Sequence, residues 1–431
     1  MNQNNILEKL GIETLNPMQK EALEVLTSHN EVVLLSPTGT GKTVAFLLPL
    51  IESLSTTCNE IQALIIVPSR ELALQLEQVI RQMGSGFKTN AVYGGRAGAQ
   101  DKIDLKHRPS ILIGTPGRVA DHLRKERFST EFIKTLVLDE FDKSLEVGFE
   151  AEMTAIVAAL PNVERKVLTS ATKALAIPDF VQLKQPKYID YLHEAITQLT
   201  IKTILSPSKD KLETLVDALC FIGNQPGIIF CNFKESIQRV SDFLNAANIS
   251  HGCFHGDMEQ IDRERTLVKF RNGTHQVIVA TDLASRGLDI PAIKFILHYQ
   301  LPLREQEFTH RNGRTARMKS DGTAYILAYK NEKLPDFVGK PAIEVIQPAP
   351  LPTPSKWKTL YISGGRRDKI SKSDIAGLFM KQAQLKPDEL GIIEIKQDCA
   401  FVGINAQKAN DCIFLTNNSK LKTKKIRVSE I

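Results

Sequence analysis

A glycine-rich loop near the N-terminus has the residue types that bind nucleotide phosphates. The segment SPTGTGKT (36–43) follows an apolar run and precedes VAFLLPL, a candidate helix. Two glycines let backbone N–H groups face phosphate oxygens, and the helix N-terminus adds a positive dipole. Lys42 is placed to reach the terminal phosphates and Thr43 to help hold Mg²⁺. We predict an ATP site rather than a plain glycine-rich turn, formed by Thr38, Gly39, Thr40, Gly41, Lys42 and Thr43.

Acidic residues follow a second apolar run. Asp139, Glu140 and Asp142 come directly after TLVL, where α/β nucleotide enzymes place the acids that serve a metal. We predict that Asp139 binds Mg²⁺ through its water shell and that Glu140 orients and polarises the attacking water. A solvated acidic turn is the alternative, but the upstream phosphate loop favours catalysis.

The segment HRNGRTAR (310–317) concentrates arginines in a part of the chain that has no phosphate loop of its own. Basic side chains presented from a separate domain can stabilise charge on a γ-phosphoryl group. We predict this role for Arg314 and Arg317. Hydrolysis then requires two domains to close.

The elements that position these residues read as two successive α/β domains. Apolar, β-branched runs alternate with amphipathic stretches, which is typical of parallel sheets. Residues 194–208 have no strong helix pattern and are predicted to be a linker, and the proline-rich QPAPLPTPS is predicted to be a spacer. Beyond it, a β-α-β-β-α-β order indicates a small α+β domain like an RNA recognition motif. The predicted domains are 1–195, 209–342 and 356–431.

Composition and charge limit the function classes. The chain has 431 residues, 42% hydrophobic and 24% charged, and mean hydropathy is −0.15. No apolar run approaches the ~18 residues of a membrane span, and neither a signal peptide nor a paired-cysteine motif is recognisable, so we expect a cytoplasmic protein without membrane partners. Residues 356–431 carry 15 Lys and Arg against 8 Asp and Glu. This basic excess is compatible with nucleic-acid binding or with a solvated face.

With these motifs in order, residues 11–330 resemble the DEAD-box family of superfamily 2 RNA helicases. The matching segments are SPTGTGKT (36–43), PSRELALQ (68–75), Gly94-Gly95, TPGR (115–118), DEFD (139–142), SAT (170–172), ATDLASRGLDI (280–290) and HRNGRTAR (310–317). The resemblance implies two RecA-like domains in tandem, with ATP and Mg²⁺ as cofactors and RNA as partner.

The resemblance also implies residue roles. Gln19, with Gly11 and Pro17, is similar to the motif that reads adenine, and Asp289 to the residue that meets the ATP ribose. Ser170 and Thr172 resemble residues that couple hydrolysis to strand separation, by hydrogen-bonding Asp142. The implied RNA contacts are Arg70, Gly95, Thr115, Gly117 and Arg118 in the first domain and Arg263, Thr281 and Asp282 in the second.

The sequence departs from the family pattern in three places. Phe141 replaces an alanine, and we expect its ring to repack the strand end without abolishing activity. Ahead of the adenine motif we expect no counterpart of the aromatic residue that usually stacks on adenine, which bears on the strength of adenine selectivity. Asn312 and Ala316 replace residues of the last motif but leave its arginines intact.

The C-terminal tail, residues 356–431, resembles the C-terminal domain of DbpA-like bacterial helicases, which binds large-subunit ribosomal RNA. That resemblance implies a role in ribosome biogenesis. Tyr361 stands where an RNA recognition motif places a stacking aromatic, and Phe401 belongs either to the motif's other signature or to the core. Since flanking aromatics are missing, we expect Arg366, Arg367, Lys369 and the basic run 422–427 to carry recognition.

Several alternatives stay open. A nucleotide-gated RNA clamp with weak hydrolysis is the rival to a helicase, and action on DNA is a third possibility because phosphate contacts do not distinguish the polymers. His251, Cys253 and His255 alternate like metal ligands, but no fourth ligand is near, so we predict no site there. The sequence identifies no protein partner.

Overall fold

The computed structural model describes residues 3–431 except 96–100, 102, 104, 147, 173–176, 194–198, 283–292 and 316–320. The described chain forms two compact units: unit 1 extends to residue 193, and unit 2 begins at residue 199. No helix of the described part is long and apolar enough to cross a membrane.

Unit 1 is a parallel sheet covered by helices. Its strands are β1 (Glu31–Leu35), β2 (Ala63–Ile66), β3 (Thr89–Val92), β4 (Ile111–Gly114), β5 (Thr135–Leu138), β6 (Arg165–Ser170) and β7 (Lys187–Asp190). Its helices are α1 (Gln3–Lys9), α2 (Pro17–Ser28), α3 (Lys42–Glu52), α4 (Arg70–Met83), α5 (Pro116–Arg124), α6 (Phe141–Glu146) and α7 (Glu150–Ala158).

The strand order of unit 1 is β3-β4-β2-β5-β6-β1-β7. Central strands such as EVVLL and ALII are almost entirely apolar because both faces of the sheet are covered. Parallel strands place their carboxyl ends at one edge. The ends of β5, β6 and β1 are therefore neighbours, and those of β3, β4 and β2 form the other half of that edge.

Unit 2 begins with a second parallel sheet in the order β10-β11-β9-β12-β13-β8-β14. The strands are β8 (Leu199–Ser206), β9 (Gly227–Phe230), β10 (His251–Phe254), β11 (Val277–Ala280), β12 (Phe295–His298), β13 (Gly322–Tyr329) and β14 (Ala342–Ile343). The helices are α8 (Leu212–Ile222), α9 (Lys234–Ala246), α10 (Gln260–Arg271) and α11 (Glu305–Asn312).

The linker predicted at 194–208 differs from the structure. Residues 199–206 form β8, which pairs with β13 from Leu199↔Gly322 to Ser206↔Tyr329. This strand lacks a continuous apolar run, and its stability comes from pairing with a distant strand, which local sequence does not reveal.

The tail of unit 2 is a small α+β domain. It contains β15 (Trp357–Ile362), α12 (Lys372–Gln382), β16 (Leu390–Ile395), β17 (Ala400–Asn405), α13 (Ala409–Thr416), β18 (Lys420–Leu421), β19 (Lys424–Lys425) and β20 (Val428–Glu430). The antiparallel sheet runs β16-β17-β15-β20, and β18 pairs with β19 as a hairpin. Two parallel-sheet domains and a small C-terminal antiparallel one confirm the predicted fold class.

Candidate nucleotide and RNA sites

The phosphate loop lies between β1 and α3. Gly39 and Gly41 have φ values of 82° and 88°, left-handed conformations that glycine adopts at little cost. Gly41 is the residue before the first turn of α3, so the loop leads straight into a helix N-terminus. The buried Lys42 Nζ donates to the carbonyl oxygens of Ser36 and, at 2.8 Å, Pro37.

The predicted adenine motif is tied to this loop. Asn16 caps α2 by accepting from the Gln19 N–H, while the Gln19 side-chain oxygen accepts from the Asn16 N–H at 3.0 Å. Asn16 Nδ2 donates to the Thr40 carbonyl at 3.0 Å, and Gln19 Nε2 donates to that of Gly41 at 3.2 Å. The start of α2 therefore holds the backbone of the phosphate loop from outside.

The acidic motif begins at the carboxyl end of β5. Thr169, on neighbouring β6, donates through Oγ1 to Asp139 Oδ1 at 2.5 Å and accepts from the Glu140 N–H at 3.1 Å. Glu140 has φ 49°, a conformation uncommon for a residue with a side chain. Such strain is often found at functional positions. Both acids are thus held by one hydroxyl group.

The electrostatics of this region follow from burial. Asp139, Glu140 and Asp142 are 4%, 9% and 1% exposed. Burial, followed by the nearby Glu140 charge, raises the pKa of Asp139 to about 6. Burial also lowers the pKa of Lys42 to about 8, although Glu140 and Asp139 oppose that shift. The acids and the lysine therefore influence one another across the ends of β1 and β5.

The predicted coupling residues follow β6. Thr172 Oγ1 donates to Asp142 Oδ2 at 3.1 Å, whereas Ser170 Oγ accepts from the Thr172 N–H at 2.9 Å. Ser170 therefore shapes the turn, and Thr172 contacts the acid. Phe141 is 3% exposed and packs in a hydrophobic core of unit 1.

The predicted RNA contacts of unit 1 lie at the other half of the same sheet edge. Arg70 opens α4, and a Cβ at Gly95 would collide with its guanidinium group. Thr115 precedes α5, which also contains Gly117 and Arg118. Arg118 Nε donates to Asp101 Oδ2 at 2.7 Å, and that oxygen is 3.0 Å from His122 Nε2. Asp101 thereby orients Arg118.

In unit 2, Arg311 organises the last motif. Its guanidinium donates to both carboxylate oxygens of Asp282, to Asn232 Oδ1 at 2.8 Å and to the Gln300 carbonyl at 2.6 Å. Thr281 and Asp282 directly follow β11, and Arg314 is buried just beyond α11. Arg317, Asp289 and Ala316 lie outside the described residues.

Two further predictions fall on α10 and β10. Arg263 of α10 is 5% exposed and lies over the Phe254 ring, 5.0 Å from its centroid. His251 Nε2 and Nδ1 are 2.8 Å from Ser241 Oγ and the Ile249 carbonyl. In the described part of the chain, no three His, Cys, Asp or Glu side chains group as metal ligands.

Four basic residues of the tail, Arg366, Arg367, Lys422 and Lys424, lie near one another at one end of the domain. Arg366 and Arg367 form a 3₁₀ turn whose N–H groups donate to the carbonyls of Lys396 and Gln397. The ion pairs Lys424–Asp368 (2.8 Å) and Lys422–Asp374 (2.9 Å) fasten the β18–β19 hairpin beside this turn. Tyr361 is half-buried, and Phe401 is buried.

Sequence reasoning missed several residues of these sites. Thr169 gave no signal because a buried threonine in a strand is ordinary. Asp101, His122 and Arg311 act through partners far away in the chain. Asn16 could have been found, since Asn followed by Pro and, three positions on, Gln is a helix-capping pattern.

Family comparisons agree with this geometry. Residues 16–179 match the DEAD/DEAH box helicase family, residues 210–319 the helicase conserved C-terminal domain and residues 359–430 the DbpA RNA binding domain. The chain is 30% identical to ATP-dependent RNA helicase DbpA of Bacillus subtilis, with 98% of this chain and 96% of that protein covered. It is also 30% identical to DbpA of Escherichia coli, over 98% and 95%.

Solved structures show the same architecture. Saccharomyces cerevisiae Dbp5 bound to RNA and ADP BeF3 matches with a TM-score of 0.68 and 25% identity, covering 76% of this chain and 88% of that one. Mss116 bound to ssRNA and UDP-BeF also gives 0.68, at 26% identity, covering 77% and 73%.

Proposed function

The chain belongs to the DEAD/DEAH box helicase family as an ATP-dependent RNA helicase with a DbpA RNA-binding domain, and on that premise we propose that it separates short RNA duplexes during ribosome assembly. One observation carries the ATPase assignment. Lys42 and the acids Asp139 and Glu140 stand at the carboxyl ends of β1 and β5, and Thr169 of the intervening β6 fixes both acids.

The acidic cluster also fits a Mg²⁺ ion. Asp139 and Glu140 are adjacent and buried, and burial together with the Glu140 charge raises the pKa of Asp139, a shift that a bound cation would oppose. Asp139 and Thr43 would hold the ion, with Asp139 acting partly through water. When bound, Mg²⁺ supplies positive charge that neutralises the ATP phosphates.

The remaining chemistry belongs to the protein's own side chains. Lys42 binds the terminal phosphates, and Glu140 orients and polarises the water that attacks the γ-phosphorus. Arg314 and Arg317 stabilise the charge that develops on the transferred phosphoryl group. They are distant in the chain from the phosphate loop, so catalysis requires the two helicase domains to close on ATP.

RNA binding uses the other half of the sheet edge in unit 1. Arg70 and Arg118 lie in the first turns of α4 and α5, where the helix dipole and the N-terminal backbone N–H groups attract phosphates. In unit 2 the proposed contacts are Arg263, Thr281 and Asp282. Thr172 joins the two activities, since its hydroxyl group contacts Asp142 of the nucleotide site.

The tail is proposed to select large-subunit ribosomal RNA. Support comes from its charge and from the gathering of Arg366, Arg367, Lys422 and Lys424 at one end of the domain. Two α/β domains that hold a sugar-phosphate backbone have little means of reading sequence, so selection requires an additional surface.

We place the protein in the cytoplasm, and its six cysteines are free thiols, which suits a reducing compartment.

ATP hydrolysis with and without RNA tests the proposal. The parent chain should be stimulated by RNA and little by DNA of the same sequence, because 2′-hydroxyl contacts distinguish the polymers. Lys42→Ala should abolish the stimulated rate, and Glu140→Gln should still bind ATP while turnover stalls. A Glu140→Gln variant that hydrolyses ATP at the parent rate would contradict the role of Glu140. Weak hydrolysis with ATP-dependent RNA retention would instead support the clamp.

A further inference from the structure

One face of the tail sheet is covered by the helicase domain of the same unit. In β15, Leu360 and Ile362 point into the tail's own core, with Val402 and Ile404 of β17. The alternating residues Trp357, Thr359, Tyr361, Phe401 and Gly403 lie on the opposite face. Thr359 is 0% exposed and Phe401 4%, although neither belongs to the tail's core cluster.

The C-terminal end of α10 contacts this face through a two-pronged ion pair. Arg271, the last residue of α10, donates to both carboxylate oxygens of Glu394 on β16, through Nη2 at 2.8 Å and through Nε. The two side chains are 23% and 19% exposed. Bidentate charge-assisted pairs fix orientation as well as distance.

Residues just after α10 fill the centre of the contact. Thr359 Oγ1 lies 2.7 Å from Thr274 Oγ1 and accepts from Asn272 Nδ2 at 3.3 Å. Gly403 faces the Asn272 side chain across the contact, at a distance where even an added Cβ would make an ordinary 3.4 Å contact. The contact is therefore close-packed and polar at its centre.

The spacer between the domains is fastened as well. Ser355 Oγ donates to the Gly273 carbonyl at 2.5 Å, and Asn224 Nδ2 donates to Thr353 Oγ1. Cys399, next to β17, lies close enough to α10 for the charge of Glu264 to act on its thiol. Contacts at the spacer, the sheet centre and the sheet edge join the tail to the helicase domain, and most of them are made by α10 and residues 272–274.

We propose that this sheet face is a docking face for α10 and residues 272–274, and not a platform for RNA bases. Base stacking requires open aromatic faces, and here Phe401 is buried and packs edge-on against Tyr361 with ring centroids 5.8 Å apart. The docked tail is held at the helix that also carries Arg263, so RNA on the tail's basic end is presented to the helicase domain in a fixed orientation.

Thiol alkylation of the full-length protein tests the docking. Glu394→Arg or Arg271→Glu places like charges together, and the rate of N-ethylmaleimide labelling at Cys399 should rise about tenfold, equivalent to ~1.4 kcal/mol. The double variant Arg271→Glu with Glu394→Arg restores opposite charges and should recover most of the protection. Lys396, 3.9 Å from Glu394, prevents full recovery.

Two internal controls make the result decisive. Cys412 is buried in the tail's own core, so its labelling reports unfolding of the tail. The variant Lys408→Glu breaks a pair with Glu389 inside the tail and should leave Cys399 unchanged. Cys399 labelling that is equal in the parent and both single variants, with Cys412 protected, would overturn the docking.

A second arm separates docking from RNA stacking, and it rests on the proposed RNA binding by the tail. Affinity of the full chain for a fluorescent RNA hairpin should change less than about twofold on Tyr361→Leu, whereas losing a stacking platform costs about fivefold or more. A fivefold loss with Tyr361→Leu would assign the sheet face to RNA. If the tail does not contribute to hairpin binding, the proposed RNA selection is wrong, but Cys399 labelling still tests the docking.

Discussion

At the scale of single residues, the nucleotide site depends on a hydroxyl group that contacts no phosphate. Thr169 Oγ1 donates to Asp139 and accepts from the N–H of Glu140, a residue with positive φ. One side chain therefore sets the direction of the proposed metal ligand and the conformation of the proposed water-orienting residue. Groups that support a catalytic centre in this way contribute strongly to activity.

Replacing Thr169 tests that support. Thr169→Val keeps the shape but removes both hydrogen bonds, so RNA-stimulated turnover should fall about 10- to 100-fold. ATP affinity should change little, since Lys42 and the loop remain. Thr169→Ser retains the hydroxyl group and should stay near the parent rate. Steady-state hydrolysis and binding of a fluorescent ATP analogue measure these effects, and a valine variant with the parent's rate would contradict the account.

Arg314 provides a second prediction at this scale. Arg314→Ala should lower the hydrolysis rate about 10³-fold, the usual value of an arginine that stabilises the transferred phosphoryl group. RNA affinity should change far less. Arg304→Ala removes an exposed arginine just before α11 and serves as the control. Equal losses of hydrolysis and RNA binding in Arg314→Ala would show that the residue is structural.

At the scale of elements, β12 and α11 are joined through a buried neutral histidine. His298 Nε2 donates to Asn312 Oδ1 at 3.0 Å, and the His298 ring lies 4.9 Å from that of Phe308. Burial, with the Arg311 charge, lowers the pKa of His298 to about 3. Asn312, a departure from the family pattern, is therefore the partner that keeps this imidazole oriented while burial keeps it neutral.

This arrangement makes stability depend on pH. Below about pH 6.5, His298 is protonated in the unfolded chain. In the folded chain its pKa is lowered to about 3, so it stays neutral until the pH is much lower. The contribution of His298 to the free energy of unfolding is therefore fully present above pH 6.5. As the pH falls below 6.5, this contribution decreases by about 1.4 kcal/mol per pH unit. Thermal unfolding should show a smaller decline in His298→Gln, while His275, with a pKa of about 4, keeps its share. Identical slopes would refute the assignment.

Sequence patterns predicted the elements whose apolar runs are continuous, such as β1, β2 and β5. Edge strands are less evident, because Thr89–Val92 and Lys187–Asp190 mix polar and apolar residues. Strand β8 was hidden for a similar reason. Local spacing predicted the phosphate loop and the acids, whereas Thr169 and the Arg271–Glu394 pair depend on contacts between distant residues.

At the scale of the molecule, strand separation is proposed for the two helicase domains and selection of the RNA substrate for the tail. The double variant Arg366→Ala with Arg367→Ala should hydrolyse ATP normally on generic RNA and lose its preference for large-subunit ribosomal RNA fragments over scrambled ones. Binding to those fragments should weaken with salt, since Lys and Arg contacts release counterions. If the double variant prefers ribosomal over scrambled RNA as strongly as the parent does, Arg366 and Arg367 do not select RNA and are ordinary solvated surface residues.

Conversion of ATP hydrolysis into strand separation is measured by the release of a labelled strand from a short RNA duplex. We expect the parent protein to release the strand with ATP and Mg²⁺, and Lys42→Ala to release none at the same protein concentration. Equal strand release by the parent and Lys42→Ala, or RNA-stimulated hydrolysis by the parent with the duplex left intact, would contradict the account.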